Sequence, residues 1–314
     1  MRLLRIVADE TNIPFMRFRK LFIAISSLAV VLSVVLVLVK GMNFGIDFQG
    51  GILIEVRMPQ AADMGKMRGQ LGGLGLGEVS LQEFGDPSDV LIRIGAQEGD
   101  ETAQQAAINQ VKQALGEGVD YRRVEFVGPK VSSELLLDGV LAVAVAIIAM
   151  LIYIWLRFEW QFGLGAVMAL THDVFLTLGV FSLLGLEFNL STVAAVLTIA
   201  GYSINDTVVV FDRIREDLRK FKSKPIDELL NGSINATLSR TLMTSLTTLV
   251  ALLALFFLGG EVIRDFSFAM IFGILIGTYS SICVAAPLLL YTNVASRARS
   301  GGADAEAEEA AETP

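Results

Sequence analysis

The chain has 314 residues, 53% of them hydrophobic, with a mean hydropathy of +0.60 and a formal net charge of −8. That composition excludes an ordinary soluble domain and marks a polytopic membrane protein. A single cysteine (Cys283) and a single histidine (His172) leave no disulfide framework, no cysteine-based metal site and little room for histidine-based metal or triad chemistry. There is also no phosphate-cradling loop of the ATPase type, and no metal or cofactor is expected.

Residues 1–20 are basic and polar and lead into an apolar run, 21–39, that is too long and too poor in small cleavage-site residues for a secretory signal. It is read as a retained first transmembrane helix. Residues 41–131 are mixed in polarity. Ile52, Ile54, Val56 and Met58 alternate with Leu53, Glu55 and Arg57 as a half-buried strand does, and 79–84, 90–94 and 121–127 are further short strands. Helical patterns at 61–71 and 101–115 complete the order β-α-β-β-α-β, a small ferredoxin-like α+β domain outside the membrane.

Five more apolar runs follow, at 135–156, 162–184, 190–211, 241–258 and 266–290. Six spans put both termini on one side of the membrane. The positive-inside rule makes that side cytoplasmic, because the short outer loops carry only Arg264 while Arg213, Arg215, Arg219, Lys220, Lys222 and Lys224 cluster on the other side. The small domain is then periplasmic. In the linker 212–236, Ile214, Leu218 and Phe221 share one face among basic residues, which suggests an amphipathic helix on the membrane surface. Asn231-Gly232 is expected to end a second short helix. The tail 291–314 is acidic, without a basic residue from Asp304 to its end, and reads as disordered.

Polar residues inside apolar spans are the candidates for function, since each is costly in lipid. Asp206 in the fourth span shares a helical side with Tyr202 and Ser203, and Asn205 precedes it. The competing reading is a polar group that only joins helices. The fifth span opens with a polar stripe of Thr237, Arg240, Thr241, Thr244, Ser245 and Thr248. Arg240 is within side-chain reach of Asp206, either as its partner or as a boundary residue that extends to water. His172 and Asp173 in the third span are either part of a proton relay or a hydrogen-bonded structural pair. In the sixth span Ala269, Gly273, Gly277, Ser281 and Ala285 recur every fourth residue, a seam for close helix approach. An intramembrane aspartyl protease is disfavoured because the stretch before Asp206 lacks the G-x-G-D pattern, so no enzymatic activity is expected.

Three stretches carry a resemblance: Gly45-Ile46-Asp47-Phe48-Gln49-Gly50-Gly51, His172-Asp173, and the run from Gly201 through Asn205-Asp206-Thr207 to Glu216. Together they resemble the SecF family, the smaller subunits of SecDF protein-export complexes and relatives of the resistance-nodulation-division transporters. The resemblance spans about residues 15–295. It implies six helices forming half of a resistance-nodulation-division-type bundle in the bacterial inner membrane, and assistance to preprotein translocation by the proton motive force. It also implies Asp206 as the essential intramembrane acid, with Arg240 as its basic counterpart. SecD, the Sec channel (SecY-SecE-SecG), the YajC and YidC membrane proteins and unfolded preproteins are the partners it implies, with no nucleic acid. The Gly45, Gly50 and Gly51 motif reads as a tight turn between span one and the first strand; Asp47 is a further candidate for substrate contact. A non-transporting scaffold and a small-molecule efflux subunit stand as alternatives.

Overall fold

The computed structural model describes residues 11–97, 99, 101–260 and 263–292, so most of the acidic tail and the first ten residues lie outside the described residues. The chain divides into two compact units. One comprises the segments up to Gly41, Ala144–Leu186 and Ala194 onward; the other comprises Met42–Val143 and Glu187–Val193.

After the first membrane helix, α1 (Arg19–Lys40), the small unit is built from β1 (Asn43–Phe44), α2 (Ile46–Gln49), β2 (Gly51–Arg57), α3 (Met64–Gly72), β3 (Val79–Phe84), β4 (Asp86–Ile94), α4 (Glu101–Leu115) and β5 (Asp120–Val127). Four strands form an antiparallel sheet in the order β3-β4-β2-β5, the ferredoxin-like arrangement. Period-2 alternation turns Ile52, Ile54, Val56, Val90, Ile92 and Ile94 into the core, closed by Met67 and Leu71 of α3 and Ala107, Ile108 and Val111 of α4. Burying each large aliphatic side chain contributes about 1.5–3 kcal/mol. Helix α3 starts at Asp63, whose carboxylate accepts the Lys66 N–H at 3.0 Å. The sheet's other face is charged: Arg57 grips Asp89 through two 2.6 Å bonds and Arg122 lies 3.4 Å away. The Arg57 guanidinium holds the Asp89 carboxyl below the usual carboxylate range.

Five long helices follow the sheet: α5 (Pro129–Arg157), α6 (Trp160–Leu184), α7 (Leu190–Lys220), α8 (Ile226–Leu258) and α9 (Arg264–Ser280), with the two-residue strand β6 (Glu187–Phe188) between α6 and α7. A π-helical turn, Ser281–Ala285, continues α9 towards Tyr291. With α1, six helices are long and apolar enough to cross a membrane. Helix α1 lies against α6 where Gly179 leaves no room for a Cβ beside Ser33, and Ser182 donates to the carbonyls of Leu36 and Gly41. Phe158, Phe162 and Phe211 meet edge to face or tilted at the core of this unit.

Two expectations for the 212–236 segment are corrected. There is no separate surface helix, because α7 runs on to Lys220 and buries Ile214 and Leu218 in the protein core, leaving only Phe221 of that face exposed. Nor does Asn231-Gly232 end a helix: α8 is continuous from Ile226. Tertiary bonds there outweigh the weak propensity of the pair. The Asn231 amide oxygen accepts the Met16 N–H at 3.3 Å, and Asn235 exchanges hydrogen bonds with the backbone of Ile13 at 2.8 and 3.0 Å.

Candidate functional site

In the membrane unit α6, α7 and α9 pack through their smallest residues. A Cβ on Gly273 would overlap Ile199, and one on Gly277 would lie 3.2 Å from the Ser203 Cβ. The helix that the seam was expected to admit is α7 of the same chain. This approach brings Asp173, fully buried, against the two neighbouring helices. Its Oδ2 accepts the hydroxyls of Ser203 at 2.5 Å and Ser280 at 2.7 Å, and its Oδ1 lies 2.9 Å from His172 Nδ1. One turn along α7, Thr207 bonds the Ser281 hydroxyl at 2.9 Å, and Ser281 itself reaches the Gly277 carbonyl. The carboxylate of Asp173 therefore ties three helices at one point. Ser280, Thr207 and the π turn had no role in the sequence reading, where Ser281 counted only as a small packing residue. Two adjacent serines in an apolar run were the available signal.

Asp206 sits differently. It is 2% exposed, yet its Oδ2 is buried without a hydrogen-bond partner. Ser203, expected beside it, turns to Asp173, and Tyr202 bonds Thr248 at 3.1 Å. Arg240 is exposed on α8, near enough for its charge to act on Asp206. Among the described residues, Asn205 and Arg240 make no side-chain hydrogen bond or ion pair. Asn205, Arg240, Thr198, Thr244 and Thr247 are all exposed on α7 and α8. His172 Nε2 and Thr241 Oγ1 are likewise buried without a partner.

The glycine motif lies in the small unit. Gly50 and Gly51 have φ of +72° and +118°, and a Cβ on Gly51 would overlap the Ile94 carbonyl oxygen. The Gly45 N–H donates to the Phe188 carbonyl at 2.9 Å, extending the parallel pairing of β1 with β6. Asp47 Oδ2 accepts the Leu190 N–H at 2.9 Å, satisfying one of the unpaired donors at the start of α7. Arg93 adds bonds to Asn43 at 2.9 Å and Glu187 at 2.5 Å. This places Asp47 in a capping contact with its own chain.

Residues 107–295 match the family described as protein export membrane protein SecD/SecF, C-terminal, and residues 35–62 match the SecD/SecF GG motif. The chain is 50% identical over 290 residues to the protein translocase subunit SecF of Rickettsia felis, covering 91% of this chain and 94% of that one. It is 47% identical over 300 residues to the SecF of Cereibacter sphaeroides, covering 93% of each. The crystal structure of SecDF, a translocon-associated membrane protein from Thermus thermophilus, is similar with a TM-score of 0.83 at 38% identity. It covers 91% of this chain, which spans only 39% of that longer protein. The chain is a multi-pass membrane protein that belongs to the SecD/SecF family of protein export membrane proteins, among its SecF subunits.

Proposed function

We propose that this chain is the SecF half of a SecDF-type complex in the bacterial inner membrane, and that it uses the proton motive force to assist preprotein translocation. Both termini are cytoplasmic in this reading and the ferredoxin-like domain is periplasmic. Asp206 carries the proton, Arg240 is its counter-charge, and Asn205 and Tyr202 line the same region, while Ser203 holds α7 in place. The observation that carries the reading is the contrast between two buried carboxylates. Asp206 Oδ2 is buried without a hydrogen-bond partner, whereas Asp173 accepts the hydroxyls of Ser203 and Ser280 and lies against His172 Nδ1. One elementary charge crossing the membrane gains about 2.3 kcal/mol per 100 mV, enough to bias a packed two-state element.

SecD is the partner on the other half of the bundle. The exposed Asn205 and Arg240, which make no side-chain hydrogen bond or ion pair among the described residues, support this, since side chains of that polarity in membrane helices call for protein or a wet cavity. The Sec channel receives the assistance. The test is gradient-stimulated export into inverted vesicles holding this chain and SecD. Asp206→Asn, nearly isosteric but unable to cycle a charge, abolishes the stimulation at normal expression. Full stimulation by that variant rejects the proton-carrier role and leaves a scaffold.

A further inference from the structure

Where α5 ends, a cleft of about 550 Å³ is lined by Arg157, Asp212, Arg215, Glu216, Arg219 and Lys220. Its two carboxylates are already engaged, Asp212 by Arg157 at 2.7 Å and Glu216 by Arg213 at 3.4 Å. The Arg157 guanidinium rests over the Phe158 ring at 5.0 Å, Arg215 reaches the Arg157 carbonyl at 3.4 Å and the Lys220 ammonium lies 5.3 Å from the centre of the Phe221 ring, so three of the four cations are held in position by the protein. Arg219 and Lys220 line the cleft and are exposed. Arg157 is the last residue of a membrane-crossing helix, which sets the cleft at headgroup level. Trp155, Leu156 and Trp160 beside it are 73%, 85% and 51% exposed, as expected of an interfacial aromatic belt. Ile148, Ile152 and Leu156 form an exposed apolar stripe at i, i+4 and i+8 that leads along α5 to the cleft.

We propose that this cleft binds the phosphodiester of an anionic phospholipid, with the acyl chains lying along the Ile148–Ile152–Leu156 stripe. A phosphodiester carries one negative charge over two non-bridging oxygens, which suits a guanidinium fork with a second cation beside it. The apolar stripe distinguishes a lipid from a free anion, since only a lipid occupies both parts. A zwitterionic headgroup brings its own cation into a cleft already rich in them.

The chain has two tryptophans, Trp155 and Trp160, both within three residues of the cleft-lining Arg157, so intrinsic fluorescence reports on the lipid beside the cleft. The full chain is reconstituted in phosphatidylcholine bilayers containing brominated phosphatidylglycerol, or brominated phosphatidylcholine at the same mole fraction. Brominated phosphatidylglycerol is expected to quench well beyond its bulk fraction, and brominated phosphatidylcholine only to it. Arg219→Gln lowers the apparent affinity for phosphatidylglycerol about tenfold, as loss of one charged hydrogen bond does. Glu216→Gln, which removes a competing carboxylate, raises it, a gain that misfolding cannot produce. Lys20→Gln, on α1 and outside the cleft, leaves it unchanged. Equal quenching by the two lipids, indifference to Arg219→Gln, or displacement of phosphatidylglycerol by millimolar inorganic phosphate overturns the lipid assignment, the last by making the cleft a plain anion site.

Discussion

Replacing Asp173 with asparagine tests whether one carboxylate holds the membrane unit together. The substitution keeps size and shape but turns one acceptor oxygen into an NH2 group. As a carboxylate, Asp173 takes two hydroxyls on Oδ2 and faces His172 on Oδ1. With His172 Nδ1 carrying its proton, one side of this array meets a donor instead of an acceptor whichever way the amide is turned. A hydrogen bond to a charged group contributes about 1.5–3 kcal/mol, and buried donors left unpaired cost about 1–3 kcal/mol each. Serine hydroxyls can rotate to accept, which recovers part of the loss. The expected destabilisation for Asp173→Asn is therefore about 2–3 kcal/mol, and for Ser280→Ala, which removes one donor, about 1.5 kcal/mol. Because both act on the same oxygen, the double variant should be less destabilised than the sum by roughly 1 kcal/mol. The assay is reversible unfolding of the full chain in mixed micelles, followed by helical circular dichroism. Additive effects, or an Asp173→Asn variant within about 0.5 kcal/mol of the parent, would refute the reasoning.

Gly51→Ala forces a side chain into a left-handed backbone and against the Ile94 carbonyl, and should cost about 3 kcal/mol, read as loss of protease resistance in the small unit. Asp47→Ala removes a cap from α7 and should cost about 1 kcal/mol, with faster amide exchange confined to the first turn after Leu190. Asp89 has its folded pKa depressed, so its contribution is present above the unfolded value of about 3.9 and lost as pH falls through the folded one; amide protection of β2 and β4 should drop with acid below about pH 4, and Asp89→Asn should flatten that dependence. Cysteine at Asn205 should crosslink to SecD in membranes, while cysteine at Ile199, buried against Gly273, should not.

The spans and the small domain were legible because each rests on a local period. Ile52, Ile54 and Val56 alternate, and apolar runs of membrane length announce themselves. Asp173 and Asp206 were legible for the opposite reason, as charges where none belongs. What escaped detection has no period. Ser280 meets Asp173 across 107 positions, and Asp47 caps a helix 143 positions away. The two-residue pairing of β1 with β6 is too short to alternate at all. Helix α8 persists through Asn231-Gly232 because the side chains of Asn231 and Asn235 bind the chain near Ile13 and Met16, contacts that no local propensity contains.

The position of Asp206 on α7 gives its proposed titration a direction. On one side of the helix Ile199, Ser203 and Thr207 are committed to α9 and α6 through Gly273, Asp173 and Ser281. On the other side Thr198, Gly201 and Asn205 are exposed, and Arg240 of α8 is open beside them. At about 100° per residue, Asp206 falls between the two, one turn from Ser203 and one turn from Tyr202. A change of charge there does little to the fixed side, because packed seams without room for a Cβ and hydroxyls bonded to a buried carboxylate resist displacement. In the proposed function its effect falls on the face where Asn205 and Arg240 make no side-chain hydrogen bond or ion pair among the described residues. On the proposed function the open half would then be the moving part and the surface that meets SecD. Protonation of a single carboxylate in this chain would then be read out as a change in how two subunits meet.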